Sequence, residues 1–134
     1  MIQYHSDRTI TPDQFIDVLI RSTLAERRPV NDRARIESML QHQNILITAW
    51  SGDLLVGVSR ALSDFSFCCY LSDLAVDVNF QKKGIGKELI KRTHEAAGPN
   101  AMLLLLAAPA AVSYYPKIGM DQFTNCFIIK RKTL

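Results

Sequence analysis

The segment Gln81-Lys82-Lys83-Gly84-Ile85-Gly86-Lys87 joins a long, mostly apolar run, Phe67 to Val78, to an amphipathic run that starts near Gly84. The pattern predicts a strand, a glycine turn and a helix in that order. Glycines let a backbone approach a ligand closely, and the first-turn N–H groups of a helix have no intrahelical acceptor. Together with the positive end of the helix dipole, those groups suit a phosphate. Lys82, Lys83 and Lys87 add mobile positive charge. Two better-known phosphate loops are excluded. The Walker pattern needs glycine at position 81, which is Gln81, and Ser or Thr where Glu88 follows Lys87; the dinucleotide pattern needs glycine where Leu89 stands. A glycine pair alone also serves turns with no ligand, so its surroundings decide its meaning.

The other reactive residues mainly exclude. Cys68, Cys69 and Cys126 are too few for a disulfide scaffold, and their odd number predicts reduced thiols and small core fillers. Neighbours on a strand, Cys68 and Cys69, point to opposite faces, and no CxxC or HExxH spacing exists, so no metal is expected. His5, His42 and His94 form no partner pattern and read as surface. The 134 residues suit one core, and 48% apolar with 22% charged residues is a globular rather than a disordered composition. The longest apolar stretch, Ala101 to Val112, contains Pro109 and is too short for a membrane span. Met1 to Asp7 lacks the features of a signal peptide, so the expectation is cytoplasmic, with no membrane contact. Sixteen basic against thirteen acidic residues leave +3, too little to predict nucleic-acid binding. The basic tail Lys130-Arg131-Lys132 reads as a solvated face.

Around the glycine turn, periodicity predicts the elements that position it. Ile2 to Tyr4 reads as a short strand. A helix opens at Thr11-Pro12-Asp13-Gln14 with a capping box and buries Phe15, Val18 and Leu19. Pro29 breaks it, and Asn31 is the expected cap of a second helix burying Ile36, Met39 and Leu40. Ile45–Trp50 and Leu54–Ser59 form a hairpin about Ser51-Gly52-Asp53. The helix from Gly84 to Ala97 turns Ile85, Leu89, Ile90, Thr93 and Ala96 inward, with a Glu88–Arg92 pair outside. Met102 to Ala107 is read as a buried strand, Pro109 to Gly119 as a short helix, and Phe123 to Lys130 as a last strand. Strand, crossover helix, strand makes the runs at Val76 and Leu104 parallel, so an α/β chain with a mixed sheet is expected. No repeat or linker divides residues 1–134, which are read as one domain.

The run Leu74-Ala75-Val76-Asp77-Val78-Asn79-Phe80-Gln81-Lys82-Lys83-Gly84-Ile85-Gly86-Lys87-Glu88-Leu89 closely resembles the acetyl-CoA motif of the GNAT superfamily of N-acetyltransferases, Q/R-x-x-G-x-G/A after a strand. Ala111-Val112-Ser113-Tyr114-Tyr115-Pro116-Lys117-Ile118-Gly119-Met120 is similar to that family's A-x-x-F-Y-x-K-x-G-F segment, and the element order matches along the chain. The resemblance implies a central mixed sheet whose parallel strands splay apart, flanked by about four helices. It implies acetyl-CoA as co-substrate, with the amides of Gln81, Lys82, Lys83, Gly84, Ile85, Gly86 and Lys87 on the pyrophosphate. The main chain of Leu74, Ala75 and Val76 would lie along the pantetheine arm, and an N–H of Leu74 or Ala75 would face the thioester oxygen. Tyr115 matches the tyrosine that protonates the departing thiolate, and Tyr114 reads as core. Two positions depart from the pattern: Ala108 stands where many members carry a cofactor-contacting asparagine, and Met120 replaces a phenylalanine.

The chemistry implied is transfer of an acetyl group to a primary amine of a small molecule or peptide by direct attack. Only the neutral amine attacks, so a base is needed. Asp73, next to Leu74, is the candidate, with a structural carboxylate and a water relay as alternatives. Arg27 and Arg28 lie in the loop that walls the acceptor pocket in this family and could pair with an anionic acceptor, solvated arginines being the alternative. Tyr70, Asp64 and Phe65 are further acceptor-side candidates. A second copy of the chain is a candidate partner. The rival function is a non-catalytic acyl-CoA-binding or regulatory protein of the same fold.

Overall fold

Trp50, Phe15, Leu19 and Ile36 are fully buried on one side of a sheet, and Ile47, Leu71 and Leu89 on the other, so the chain in this computed structural model builds three layers. The structure describes all 134 residues. The five strands β1 (Gln3–His5), β2 (Ile45–Ser51), β3 (Leu54–Ser63), β4 (Cys68–Val76) and β5 (Met102–Leu104) lie side by side in chain order. The first three pairings, from β1 through β4, are antiparallel and β4–β5 is parallel. Helices α1 (Pro12–Arg21) and α2 (Arg33–His42) cover one face. Helix α3 (Ile85–Ala97) covers the other, and α4 (Tyr114–Lys117) is a single turn.

Local sequence explains most of these elements. Thr11 and Gln14 form the reciprocal capping box at α1. The second helix is capped by Asp32, one residue after the expected Asn31. Gly52 sits at φ +60° in the two-residue turn between β2 and β3, where a side chain would be strained. Helix α3 presses on β3 where Gly57 leaves room: a Cβ there would lie 3.1 Å from Leu89 and 3.2 Å from Ile85. Thr93 Oγ1 lies 2.6 Å from Ser59 Oγ within the same layer and donates to the Leu89 carbonyl. Ala97, not the expected Ala96, faces the core.

Further expectations need correction. Cys68 and Cys126, expected as core fillers, are exposed, and only Cys69 is buried. β5 pairs over only three residues instead of running to Ala107. Pro109 to Gly119 is not one helix but a 3-10 turn, Pro109–Ala111, joined through helical-backbone residues Val112 and Ser113 to α4. No strand forms between Phe123 and Lys130; those residues are exposed, and Arg35 of α2 holds the Leu134 carbonyl instead. Strand-prone side chains need a partner edge, and β5 offers one only three residues long.

Candidate functional site

The parallel pairing of β4 with β5 runs through Cys68–Met102, Cys69–Leu103 and Tyr70–Leu104, then stops. β4 continues six residues further, from Leu71 to Val76, still paired to β3 on its other edge. Those residues therefore present alternate N–H and C=O groups to a gap between diverging strands, a free edge that an extended ligand arm can join as another strand would. The splaying implied by the family resemblance is present. Leu74 and Val76 pack toward α3, whereas Ala75 packs toward α1 and α2.

A bulge sets those faces. Arg60 pairs with Asp73 and Ala61 with Leu71, so Ser72 is an extra residue in β4. Cys69 and Leu71, before it, face α3; Asp73 and Ala75, after it, face the α1–α2 side. Without the bulge, simple alternation would send Asp73 into the opposite core.

The free edge leads into the glycine turn. Asp77, nearly buried at the end of β4, accepts from Arg21 of α1 at 2.5 Å and from the Asn79 amide at 2.8 Å, while its own amide donates to Val56. Gln81 folds back, donating its side-chain amide to the Val76 carbonyl at 3.1 Å. Lys82 then adopts φ +63° and Gly84 φ +81°. A lysine in left-handed backbone carries strain, and such residues concentrate at ligand sites. Left-handed residues alternating with ordinary ones turn successive N–H groups to one side as an anion nest. The first amide to close an intrahelical bond is Glu88, on Gly84 at 3.1 Å; the backbone amides of Gln81 to Gly86 have no acceptor in the protein. Lys82, Lys83 and Lys87 are exposed around them, and Arg92 draws Glu88 into an ion pair at 2.8 Å that holds its carboxyl below the usual range. A cavity of about 280 Å³ opens beside this turn against Lys87, Ile90, Lys91, Ile118 and Met120.

Past β5, the chain returns to the turn through α4. The Tyr114 hydroxyl lies beside the Lys87 amide, 2.9 Å from where a Cβ on Gly86 would be. This contradicts the reading of Tyr114 as core. Tyr115 is half-buried, its ring edge-on to that of Tyr114 with centroids 5.2 Å apart. Burial, with Tyr114 beside it, raises the Tyr115 phenol above its ordinary value of 10.0. It stays protonated at neutral pH, the state a proton donor needs.

The acceptor-side expectations need the largest revision. Asp73 is fully buried, and its two carboxylate oxygens accept from different arginines, Oδ1 from Arg28 Nε and Oδ2 from Arg60 Nε. Arg28 also donates to the Ser72 carbonyl at 2.7 Å and to the Arg27 carbonyl at 2.8 Å; Arg60 donates to the Met39 carbonyl at 3.1 Å and to the Ser72 hydroxyl at 3.2 Å. Each oxygen is held by a guanidinium and the carboxylate is sealed from solvent, the arrangement of a structural carboxylate, the alternative to a base. Arg28 is likewise spent on the bulge rather than offered to a ligand. The pair of arginines clamps the β4 bulge to α2 and to the loop after α1. Arg60 escaped sequence reasoning, although a charged residue inside the apolar run Leu54–Leu62 is itself a signal of a buried partner. Arg27 is exposed, and Tyr70 is exposed opposite Leu104. Asp64 caps the β3–β4 turn, its Oδ1 accepting the amides of Ser66, Phe67 and Cys68, which pulls its carboxyl down to about 2. Phe65 stands in that turn at φ +60°. No group of three His, Cys, Asp or Glu side chains could hold a metal, and no helix is long and apolar enough to cross a membrane.

Residues 9–127 match the family model for an acetyltransferase (GNAT) domain. The uncharacterized N-acetyltransferase ycf52 of Porphyra purpurea is 32% identical over 101 residues, covering 69% of this chain and 55% of that protein. The chain thus spans about half the length of the curated relatives it matches. Among solved structures, a GNAT family acetyltransferase of Streptococcus pneumoniae superposes with a TM-score of 0.75 at 20% identity, over 98% of this chain and 100% of that one. An aminoglycoside acetyltransferase from an uncultured soil metagenomic sample, in complex with sisomicin, gives 0.66 at 19% identity, over 98% and 96%. At such identities the two structures share the fold.

Proposed function

Because the chain belongs to the GNAT acetyltransferase family, we propose that it transfers an acetyl group from acetyl-CoA to a primary amine of a small molecule or peptide. One observation carries the reading: the unpaired end of β4 runs directly into a turn of free amides. The family's co-substrate has the matching shape, an extended arm ending in a pyrophosphate. Residues 1–134 act in this reading as one catalytic unit, placed in the cytoplasm, where the free thiols of Cys68, Cys69 and Cys126 stay reduced.

The Gln81–Gly86 amides and the lysines around them hold the pyrophosphate. The Leu74–Val76 main chain aligns the arm, and the N–H of Leu74 or Ala75 stabilises the negative charge that grows on the thioester oxygen. The neutral amine attacks the carbonyl carbon; the C–N bond forms, the C–S bond breaks, and the Tyr115 proton passes to the departing thiolate. With Asp73 engaged by two arginines, the amine loses its proton through water rather than to that carboxylate. Positioning and the backbone donor supply most of the acceleration. The exposed Arg27 and Tyr70 remain on the acceptor side, where Arg27 could pair with an anionic group.

The absence of a free carboxylate beside Leu74 also favours a rival, a non-catalytic acyl-CoA-binding protein. Thiol release from acetyl-CoA, measured across aminoglycosides, polyamines, amino acids and peptides, separates the two. Aminoglycosides head the panel because a structural neighbour is solved with sisomicin. Amine-dependent release is expected for at least one class; coenzyme A binding without release under any amine would establish the rival. Gly86→Glu is expected to abolish coenzyme A binding with the fold retained, and unaltered binding would remove the pyrophosphate assignment.

A further inference from the structure

The Tyr114 side chain reaches the glycine turn from outside it, and its hydroxyl stands beside the Lys87 amide at the end of the Gln81–Gly86 run. The same oxygen lies 2.9 Å from the point a Cβ on Gly86 would occupy, so the absent side chain at Gly86 is what lets the phenol reach the turn. The Tyr114 ring is held by edge-on packing against Tyr115. A phenol has one proton to give as well as lone pairs to accept with. Burial keeps this phenol above its ordinary value despite the Lys87 amide, so the proton is present at neutral pH.

Resting on the transferase reading, we propose that Tyr114 is a cofactor-binding residue: its hydroxyl, held over the turn at Gly86, delivers its proton to a phosphate oxygen seated on the Gln81–Gly86 amides. Tyr114 thereby extends the cradle from the helix terminus to α4, and it does so through a side chain outside the glycine turn. The contact belongs to the phosphate end of the ligand and leaves the thioester end untouched. Its loss should raise KM for acetyl-CoA and leave kcat within about threefold.

The test compares the unaltered chain with Tyr114→Phe by calorimetric titration of coenzyme A and of pantetheine, which lacks the phosphates. Loss of a hydrogen bond to a charged group weakens coenzyme A binding roughly tenfold to a hundredfold, with pantetheine binding unchanged. Equal coenzyme A affinity in both proteins overturns the inference. Tighter binding by the variant also overturns it, by showing that the hydroxyl competes with phosphate. Equal loss for both ligands assigns Tyr114 to packing alone and overturns it too. Failure of the unaltered chain to bind coenzyme A would refute the transferase reading itself and this inference with it. As a second route, Gly86→Ala pushes a methyl against the Tyr114 oxygen, so its effect on coenzyme A affinity should be smaller in the Tyr114→Phe background. Strict additivity of the two substitutions would refute the contact.

Discussion

Replacing Asp73 by asparagine separates a structural carboxylate from a catalytic base. The substitution keeps the size of the side chain but removes the charge that Arg60 and Arg28 share. Arg60 has only 7% of its side chain exposed, so its guanidinium would remain nearly buried with no counter-charge. Breaking a buried pair by removing one partner costs about 3–5 kcal/mol, a large share of the roughly 5–15 kcal/mol that stabilises a domain of this kind. The asparagine amide would also point a donor at a guanidinium that already donates. Urea unfolding should therefore show the loss directly, with a fall in Tm of about 10–20 °C. Below the variant's transition, the folded fraction should acetylate at a rate near that of the unaltered protein. The opposite pattern refutes this reasoning: unchanged unfolding with a hundredfold or greater loss of kcat would make Asp73 the base. Arg28→Ala supplies the graded control. That side chain is 21% exposed and leaves the Arg60–Asp73 pair intact, so a loss of only about 1–2 kcal/mol is expected.

Three further outcomes follow from the same geometry. Tyr115→Phe should lower kcat on the order of a hundredfold, and because burial holds the Tyr115 phenol above 10.0, the unaltered protein's rate should not turn down below pH 10; a downturn near pH 8, or an unchanged rate in the variant, removes the acid assignment. Gly57→Val should overpack the contact with Leu89 and Ile85 and cost about 1–3 kcal/mol in urea unfolding, and equal or greater stability would show that α3 has slack there. The Asp64 carboxyl is lowered by folding, so its support of the β3–β4 turn is complete above the ordinary 3.8 and is lost as pH falls through about 2. The amide resonances of Ser66, Phe67 and Cys68 should report that midpoint, and a midpoint at 3.8 would mean the three hydrogen bonds do not hold in solution.

Much of the fold was legible because it is local. The Thr11–Gln14 capping box, the Gly52 turn and the apolar face of α3 are periodic or short-range patterns, and each forms within a residue or two of its expected place. The last strand failed for a non-local reason. Phe123 to Lys130 has strand-forming side chains, but pairing depends on an edge elsewhere, and β5 ends at Leu104. The surroundings of Asp73 are non-local in the same way. Its position beside Leu74 was readable, whereas the β4 bulge at Ser72 forms only against β3, and the two arginines that claim its oxygens come from β3 and from the loop after α1.

On its own, the sequence determined the glycine turn that opens α3, because glycine placement, lysines and an amphipathic helix onset are all encoded within about ten adjacent residues and act through backbone geometry. It determined the family as well, through two motifs in the right order. Tertiary structure alone decided which groups are free to react. Hydrogen-bond acceptors are spent or spared by residues distant in the chain: Arg28 and Arg60 take the oxygens of Asp73. A side chain's type states what it can do, but only its neighbours in space decide whether its lone pairs and protons are still available.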